Sequence, residues 1–265
     1  MDSWEREARR DGSTPQPHVL RLSDGTDREF RGNYWVFKWS QENSTHSGQL
    51  NSALAALERW LYDLIDAGGD VTARIEHLLR TSDSVAILGV LMNVGKYRPE
   101  LFLGPLKPLL AFHRSYLWDS NRVQENAYSF DATSWARGGE IVFEMAKAWA
   151  NAPHRQTRLQ QFVSDLITRD KDLAEFVLAA TTRWTAPNTD KESVEFRMLV
   201  AELDHRNYRL VKDSKTGEDK ERARLSRRRH GGDPWIPERQ GACAADSCVS
   251  RPKPKSSQSV WHVDR

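Results

Sequence analysis

Cysteine is nearly absent from this chain of 265 residues, because only Cys243 and Cys248 occur. A secreted domain of this size usually carries more cysteines, so the sequence predicts a protein of the reducing cytoplasm. Four residues separate the pair, a spacing that some zinc sites use, but zinc needs two more ligands and the same tail offers only His230 and His262. We therefore interpret both cysteines as incidental and predict no metal and no cofactor.

Long apolar runs are also missing. The longest one, residues 85–94, is interrupted by Gly89 and Asn93 and has about half of the roughly 20 residues that cross a bilayer. The first residues, Met1–Glu7, contain no apolar stretch and do not form a secretory signal. The sequence therefore predicts no membrane partner. The net charge of +2 is too small to make the whole molecule a nucleic-acid binder.

No segment of the sequence has the residue spacing that a known catalytic motif requires. The nearest candidate is Gly89–Tyr97, in which a Gly-Lys pair follows an apolar segment, as in phosphate-binding loops. That loop needs four residues between its first glycine and the Gly-Lys pair, and a Ser or Thr after the lysine. Here five residues intervene and Tyr97 follows. The apolar pattern continues through the segment, which is typical of a buried helix, so we predict no catalytic residue and a non-enzymatic protein.

Apolar residues recur at helical spacing across residues 47–213. The pattern predicts eight helices of ten to twenty residues, in two groups that a polar, irregular segment from Trp118 to Arg137 separates. The first stripe consists of Leu50, Leu54, Leu57, Leu61 and Leu64, widened by Trp60 and Ile65, and the first stripe of the second group consists of Ile141, Met145, Ala148 and Trp149. Gly68 and Gly69 end the first helix and Asp70 caps the second.

Short loops and units of roughly 35–40 residues per helix pair give the fold class. We expect an all-α protein of HEAT- or armadillo-like stacked helix pairs over residues 47–213, with a small N-terminal β-hairpin. The fourth helix is predicted to run through Leu106, Leu109, Leu110, His113 and Leu117.

A short β signal precedes the helices and predicts a hairpin within residues 18–46. Residues 18–22 alternate, Ser23–Thr26 has turn chemistry, and Tyr34–Trp39 is rich in strand formers. The aromatic residues of this segment, together with Arg31 and Lys38, either pack on the helices or stack on nucleic-acid bases. We favour packing, because it is the commoner arrangement.

Both ends of the chain lack any hydrophobic period. Residues 1–17 read as a flexible lead-in, and residues 214–265 as a disordered basic tail that cannot bury enough apolar surface to offset the entropy of ordering it. A GC-rich gene translated out of frame gives a similar composition, so we hypothesise a truncated reading of a longer protein with non-native sequence from about Arg222. The candidate nucleic-acid contacts in this tail are Arg222, Arg224, Arg227, Arg228 and Arg229.

Three stretches are more specific than their composition, namely Leu54–Tyr62, Arg80–Leu91 and Val94–Phe102. With the preceding Asp24-Gly25 turn and the aromatic segment, they resemble the helical region of very large bacterial NTPases of the signal-transduction (STAND-like) type. In that family a phosphate-loop ATPase head precedes long helical repeats that sense a partner, and several members act in defence against phage. The resemblance covers roughly residues 19–118. It implies an ATP-dependent parent whose ATPase head is not among these residues, so no ATP-contacting residue is carried over.

The sequence thus predicts a non-enzymatic helical-repeat interaction module, a fragment of a large bacterial ATP-dependent signalling or defence protein. Its partner would be another protein or another region of the parent. Aromatic residues dominate binding energy, which makes Tyr128, Phe130 and Trp135 in the polar segment the candidate partner-binding residues. The alternative is a nucleic-acid-binding helical protein that uses the basic stretch after Lys212, with binding that weakens steeply as salt rises.

Overall fold

The computed structural model describes residues 17–40, 48–128, 140–185, 190–209 and 224–225, and the structural statements below concern these residues. The chain enters through an antiparallel hairpin of β1 (His18–Arg21) and β2 (Asp27–Phe30), with His18 opposite Phe30. The turn is the predicted one, because Asp24 Oδ1 accepts hydrogen bonds from both the backbone and the hydroxyl of Thr26, at 3.0 and 2.6 Å. The small N-terminal hairpin is therefore confirmed.

The aromatic segment that was predicted to be a strand is helical instead. It forms α1 (Tyr34–Phe37) and a 3-10 turn at Lys38–Ser40. Asn33 caps α1 by accepting a hydrogen bond from the Val36 backbone at 3.2 Å, and this local bond outweighs the strand preference of the aromatic residues. Phe37 and Trp39 are buried, which confirms the prediction that this segment packs on the helices.

Ten α-helices lie within the described residues, and eight of them have 11 to 19 residues. After α1 they are α2 (Gly48–Asp66), α3 (Val71–Thr81), α4 (Val85–Tyr97), α5 (His113–Tyr128), α6 (Glu140–Ala150), α7 (Pro153–Gln156), α8 (Leu159–Arg169), α9 (Lys171–Thr181) and α10 (Asp190–Leu203). Two short paired strands follow, β3 (Tyr208–Arg209) and β4 (Arg224–Leu225). The mostly helical class is confirmed. No described helix is both long enough and apolar enough to span a bilayer.

The break between α2 and α3 follows the local signals of the sequence. Gly68 has φ +70°, a left-handed conformation that glycine adopts without steric cost, and α2 ends just before it. Asp70 then caps α3 by accepting a hydrogen bond from the Ala73 backbone at 3.1 Å. Both predictions for this turn are confirmed.

The central helix is α4, which buries eleven of its 13 residues and contacts α1, α2, α3, α5, α7 and α8. The two glycines in its apolar sequence allow close packing. A Cβ atom at Gly89 would lie 2.1 Å from the carbonyl oxygen of Phe37, and one at Gly95 would lie 2.4 Å from Cζ of Phe102. The segment Gly89–Tyr97 is therefore the buried helix that was predicted, and not a phosphate loop.

The fourth predicted helix is displaced along the chain. Residues 99–103 and 107–111 form 3-10 turns, because Pro105 and Pro108 lack the backbone N–H groups that a continuous α-helix needs there. Helix α5 begins only at His113 and continues to Tyr128. The prediction of irregular structure from Trp118 onwards is therefore wrong as far as Tyr128, because polar residues of this segment pair inside the protein, as described below.

Candidate functional site

Most of the candidate binding residues that were predicted from the sequence lie outside the described part of the chain. Tyr128 is the last residue of α5, and the backbone of Arg224 in β4 pairs with that of Arg209 in β3. The other nominated residues, which lie outside the described residues, are Phe130, Trp135, Arg222, Arg227, Arg228 and Arg229. The same holds for both cysteines and almost all of the predicted lead-in and tail. These predictions stay predictions.

Sequence reasoning missed a network of charged side chains in the middle of the protein. Glu58 of α2 is fully buried, and its carboxylate accepts hydrogen bonds from Tyr62 Oη at 2.5 Å and Asn93 Nδ2 at 3.1 Å. It also pairs with Arg155 of α7, whose Nη2 lies at 2.5 Å. The guanidinium carbon of Arg155 lies 4.4 Å from the ring centroid of Trp149, so this cation is packed on an aromatic face as well as paired.

A second carboxylate, Asp119 of α5, anchors the other half of the network. Its Oδ1 accepts from Lys96 Nζ at 2.8 Å and from Arg122 Nη2 at 2.6 Å, and its Oδ2 accepts from the Leu159 backbone at 2.7 Å. Lys96 also donates to the backbone oxygen of Thr157 at 3.0 Å. The side chains of Lys96, Asp119 and Arg122 are at most 2% exposed, so these charges are compensated by one another and not by water.

The burial of the network shifts the pKa values of its members. Burial lowers the pKa of Lys96 to about 8, against the attraction of Asp119, which raises it. Burial by itself raises the pKa of Asp119, but the charges of Lys96 and Arg122 outweigh it and hold that pKa below its ordinary value. Burial also lowers the pKa of His154 to about 4, so this imidazole is neutral near pH 7.

One short segment, residues 153–159, carries the contacts that join the network to the second helical group, and we call it the polar joint. From it, Arg155 pairs with Glu58 of α2, and His154 Nε2 lies 2.9 Å from the Tyr62 hydroxyl. The Thr157 oxygen and the Leu159 N–H bind Lys96 and Asp119, as given above. The joint therefore fixes the chain after α6 to α2, α4 and α5.

This network has a structural role. Its five charged side chains (Glu58, Lys96, Asp119, Arg122 and Arg155) are between 0 and 3% exposed, so a dissolved substrate does not reach them. Within the described residues, no group of three or more His, Cys, Asp or Glu side chains is placed to hold a metal ion. What the network determines is the relative position of the helices, and with it the surface that they present.

One sequence signal pointed to the network. Asn93 and Lys96 are polar residues within the otherwise apolar α4, and such residues need buried partners. On α2, the buried positions include Glu58 and Tyr62, so the inner face is rotated from the predicted leucine stripe. The prediction that Trp60 widens the buried stripe is wrong, because this rotation leaves its side chain 47% exposed.

The first predicted stripe of the second group faces solvent. On α6, Ile141 is 78% exposed and Met145 is 68% exposed, and Ala148 is exposed on the same side. A side of α6 about 100° around the helix axis from the stripe holds the helix, since Ala146 is buried and Trp149 packs on Tyr62 with ring centroids 5.6 Å apart. The prediction of a core stripe is therefore wrong for these three residues. We call Ile141, Met145 and Ala148 the outer face of α6.

The chain matches neither a protein-family model nor a curated protein. We therefore infer a function from the sequence and from the geometry of the described residues. The STAND-like resemblance stays a prediction.

Proposed function

We propose that this protein is a non-enzymatic helical interaction module that binds another protein through the outer face of α6. The observation that carries the proposal is the exposure of Ile141 and Met145, at 78% and 68%. They are the two most exposed large hydrophobic residues in the described part of the chain. Full burial of such a side chain contributes roughly 1.5–3 kcal/mol, so a partner that covers both gains a substantial part of a binding free energy.

Single exposed apolar residues are common on protein surfaces and carry no functional meaning by themselves. Ile141 and Met145 lie four residues apart on one helix, with Ala148 three residues further. This spacing places all three on one side of the helix, which is the arrangement by which helices bind hydrophobic grooves and other helices. Val194 and Met198 on α10 share the four-residue spacing but are less exposed, at 47% and 45%.

The polar joint supports this proposal, because it fixes the surface before a partner arrives. The last turn of α6 packs on α2 through Trp149, and the chain then enters the joint within three residues. A face that is already held in its binding geometry loses less conformational entropy on association. The network thus has a role in binding, without any contact to the partner.

The charges beside the outer face favour a protein partner. Within α6, Glu140 and Glu144 border the apolar stripe together with one cation, Lys147. A carboxylate-rich border does not attract the phosphates of nucleic acids or of anionic membranes. The nucleic-acid alternative rests on the arginines of the tail, which lie outside the described residues, and stays a prediction.

We further propose, from the sequence resemblance alone, that the chain belongs to a larger ATP-dependent parent of the STAND-like type. The interaction proposal depends neither on this relationship nor on HEAT- or armadillo-like stacking, which also stays a prediction. The test is the mass of the natural gene product, detected with an antibody against residues 50–117. A product well above 30.4 kDa supports a larger parent, and a product at that mass counts against it.

The interaction proposal is tested by placing a photo-crosslinking amino acid at position 145 of the full chain, in cells that naturally make it. The captured protein is identified by mass spectrometry, purified and titrated against the full chain. We expect saturable binding that Ile141→Asp abolishes. The matched control is Val194→Asp on α10, since Val194 is also an exposed apolar side chain, at 47%. Binding that survives Ile141→Asp, or that Val194→Asp reduces equally, would contradict the proposal.

A further inference from the structure

The outer face of α6 has an asymmetric border, which limits the partners that fit it. Glu140, Glu144 and Lys147 follow one another at the same spacing as the apolar stripe and one position earlier in the chain. Since successive residues are about 100° apart around a helix axis, these charges form one edge of the stripe. The border therefore has a defined side and a defined sign.

Carboxylates outnumber the ammonium group in this border. Lys147 Nζ lies 3.6 Å from Glu144 Oε1, so its charge is directed to a carboxylate of its own helix. Both side chains are about half exposed, at 49% and 59%, and Glu140 is exposed as well. A partner that approaches the apolar stripe thus meets a net negative charge on one side.

We propose that the occupant of this face is an amphipathic helix of a partner protein, with an apolar stripe flanked by Lys or Arg; this inference rests on the function proposed above. The stripe from Ile141 to Ala148 spans eight residues, and its ends are about 10 Å apart along the axis at a rise of 1.5 Å per residue. Two turns of a partner helix match that length. Alanine at its C-terminal end lets a bulky apolar side chain of the partner approach closely.

A second copy of this chain fits the face less well. Two antiparallel α6 helices related by a two-fold axis, with Met145 of each copy near the axis, bring their charged borders to the same side. The two copies of Glu144 would then lie next to each other, one residue from the axis. These like charges repel, and the one cation of each border, Lys147, offsets them only in part, whereas lysine or arginine of a different helix attracts the carboxylates of the border.

The test uses the full chain and two designed helical peptides of about 15 residues that share one leucine stripe. One peptide has lysines beside the stripe and the other has glutamates at the same positions. Fluorescence anisotropy at about 50 mM and about 300 mM salt measures binding, because exposed charge pairs weaken as salt screens them. We expect the lysine peptide to bind about fivefold tighter at low salt, with a smaller ratio at high salt.

Charge reversal provides the decisive variant. The double substitution Glu140→Lys and Glu144→Lys should transfer the preference to the glutamate peptide. These residues are exposed, and the ion pair that Glu144 makes within the described residues is with Lys147 of its own helix, so the fold is expected to survive. Circular dichroism checks the helical content of the variant. An unchanged preference for the lysine peptide would overturn the inference.

The remaining outcomes separate this inference from the proposed function. Equal binding of both peptides that Ile141→Asp abolishes overturns the charge preference and leaves the function of the face intact. Equal binding of both peptides that Ile141→Asp does not change overturns both. Self-association of the full chain in sedimentation equilibrium that Ile141→Asp abolishes would make a second copy the occupant and overturn the inference. Failure of the lysine peptide to bind overturns it as well.

Discussion

Replacement of Arg155 by methionine tests whether the buried network determines the stability of the protein. The variant R155M keeps an apolar stem of similar length but removes the cation that pairs with Glu58. The carboxylate then stays fully buried with hydrogen bonds from Tyr62 and Asn93. Two unit charges about 4 Å apart attract by about 4 kcal/mol at an effective dielectric constant of about 20. Loss of one partner of a buried pair costs roughly 3–5 kcal/mol, so we expect that decrease in the free energy of unfolding.

The chain offers a matched control one residue from Glu58. Arg59 pairs with Asp63 at 2.9 Å, and the two side chains are 64% and 56% exposed. The variant R59M removes the same chemical group from an exposed pair, and we expect it to cost only about 0.2–1 kcal/mol. The difference between the two variants isolates burial as the cause. If R155M costs no more than R59M, the reasoning about the network is refuted.

A double-mutant cycle completes this test. E58Q keeps the shape of the side chain and removes its charge, so alone it leaves Arg155 buried without a counter-charge. The double variant E58Q/R155M removes both charges and should cost less than the sum of the single variants, by about 2–3 kcal/mol. Urea titrations followed by tryptophan fluorescence and circular dichroism give the free energies. Additive effects of the two substitutions would show that the pair does not act as a unit.

Other perturbations probe different parts of the fold. The pKa of Lys96 is about 8 in the folded chain against its ordinary 10.5, so the unfolded state binds more protons between these values. We expect the free energy of unfolding to rise with pH from about 8, and urea titrations of K96M should lack this contribution. The pKa of His154 is lowered from 6.5 to about 4, so stability should fall as pH drops through that window, with a smaller fall in H154Q. Gly89→Ala should lower the thermal midpoint although alanine is the better helix former, since its Cβ would meet the Phe37 oxygen; Gly104→Ala, where nothing lies within 4 Å, is the control. A midpoint unchanged by Gly89→Ala would contradict the close packing of α4.

Features set by a few neighbouring residues could be predicted from the sequence. The buried helix predicted at Gly89–Tyr97 is part of the observed helix Val85–Tyr97, and the turn after α2 has the expected glycine and aspartate roles. Caps and left-handed glycines act through bonds to residues three or four positions away, so their signals are complete within a short window. The mostly helical class follows from the same local information.

Features set by distant partners could not be predicted in the same way. Because α5 contains polar residues such as Asp119 and Arg122, a polar, irregular segment was predicted there. Their burial depends on Lys96, 23 positions from Asp119, and on contacts with the polar joint. No short stretch of the sequence indicates that the carboxylate of Asp119 will form ion pairs with two buried cations. The network, which organises the candidate site, was therefore missed.

Helix α6 shows a different limit of sequence reasoning. The stripe of Ile141, Met145 and Ala148 was correctly read as apolar and as lying on one side of a helix. Helical spacing indicates that such a stripe exists, but whether another element covers the stripe depends on how the whole chain packs. Because Trp149 anchors the side of α6 that adjoins the stripe, the stripe itself faces solvent and becomes the candidate binding surface.

The polar joint also determines how the protein can be divided. A chain cut before Pro153 removes a hydrogen-bonding partner from each of three buried charges, Glu58, Lys96 and Asp119. In the N-terminal helices on their own, these charges would have to become hydrated or change protonation state, whereas in the full chain they are paired and shielded from water. The described helices are thus interdependent for folding, and residues up to 128 are not a separable domain. The binding experiments should therefore use the full chain, in which the polar joint and the helices before and after it stay together.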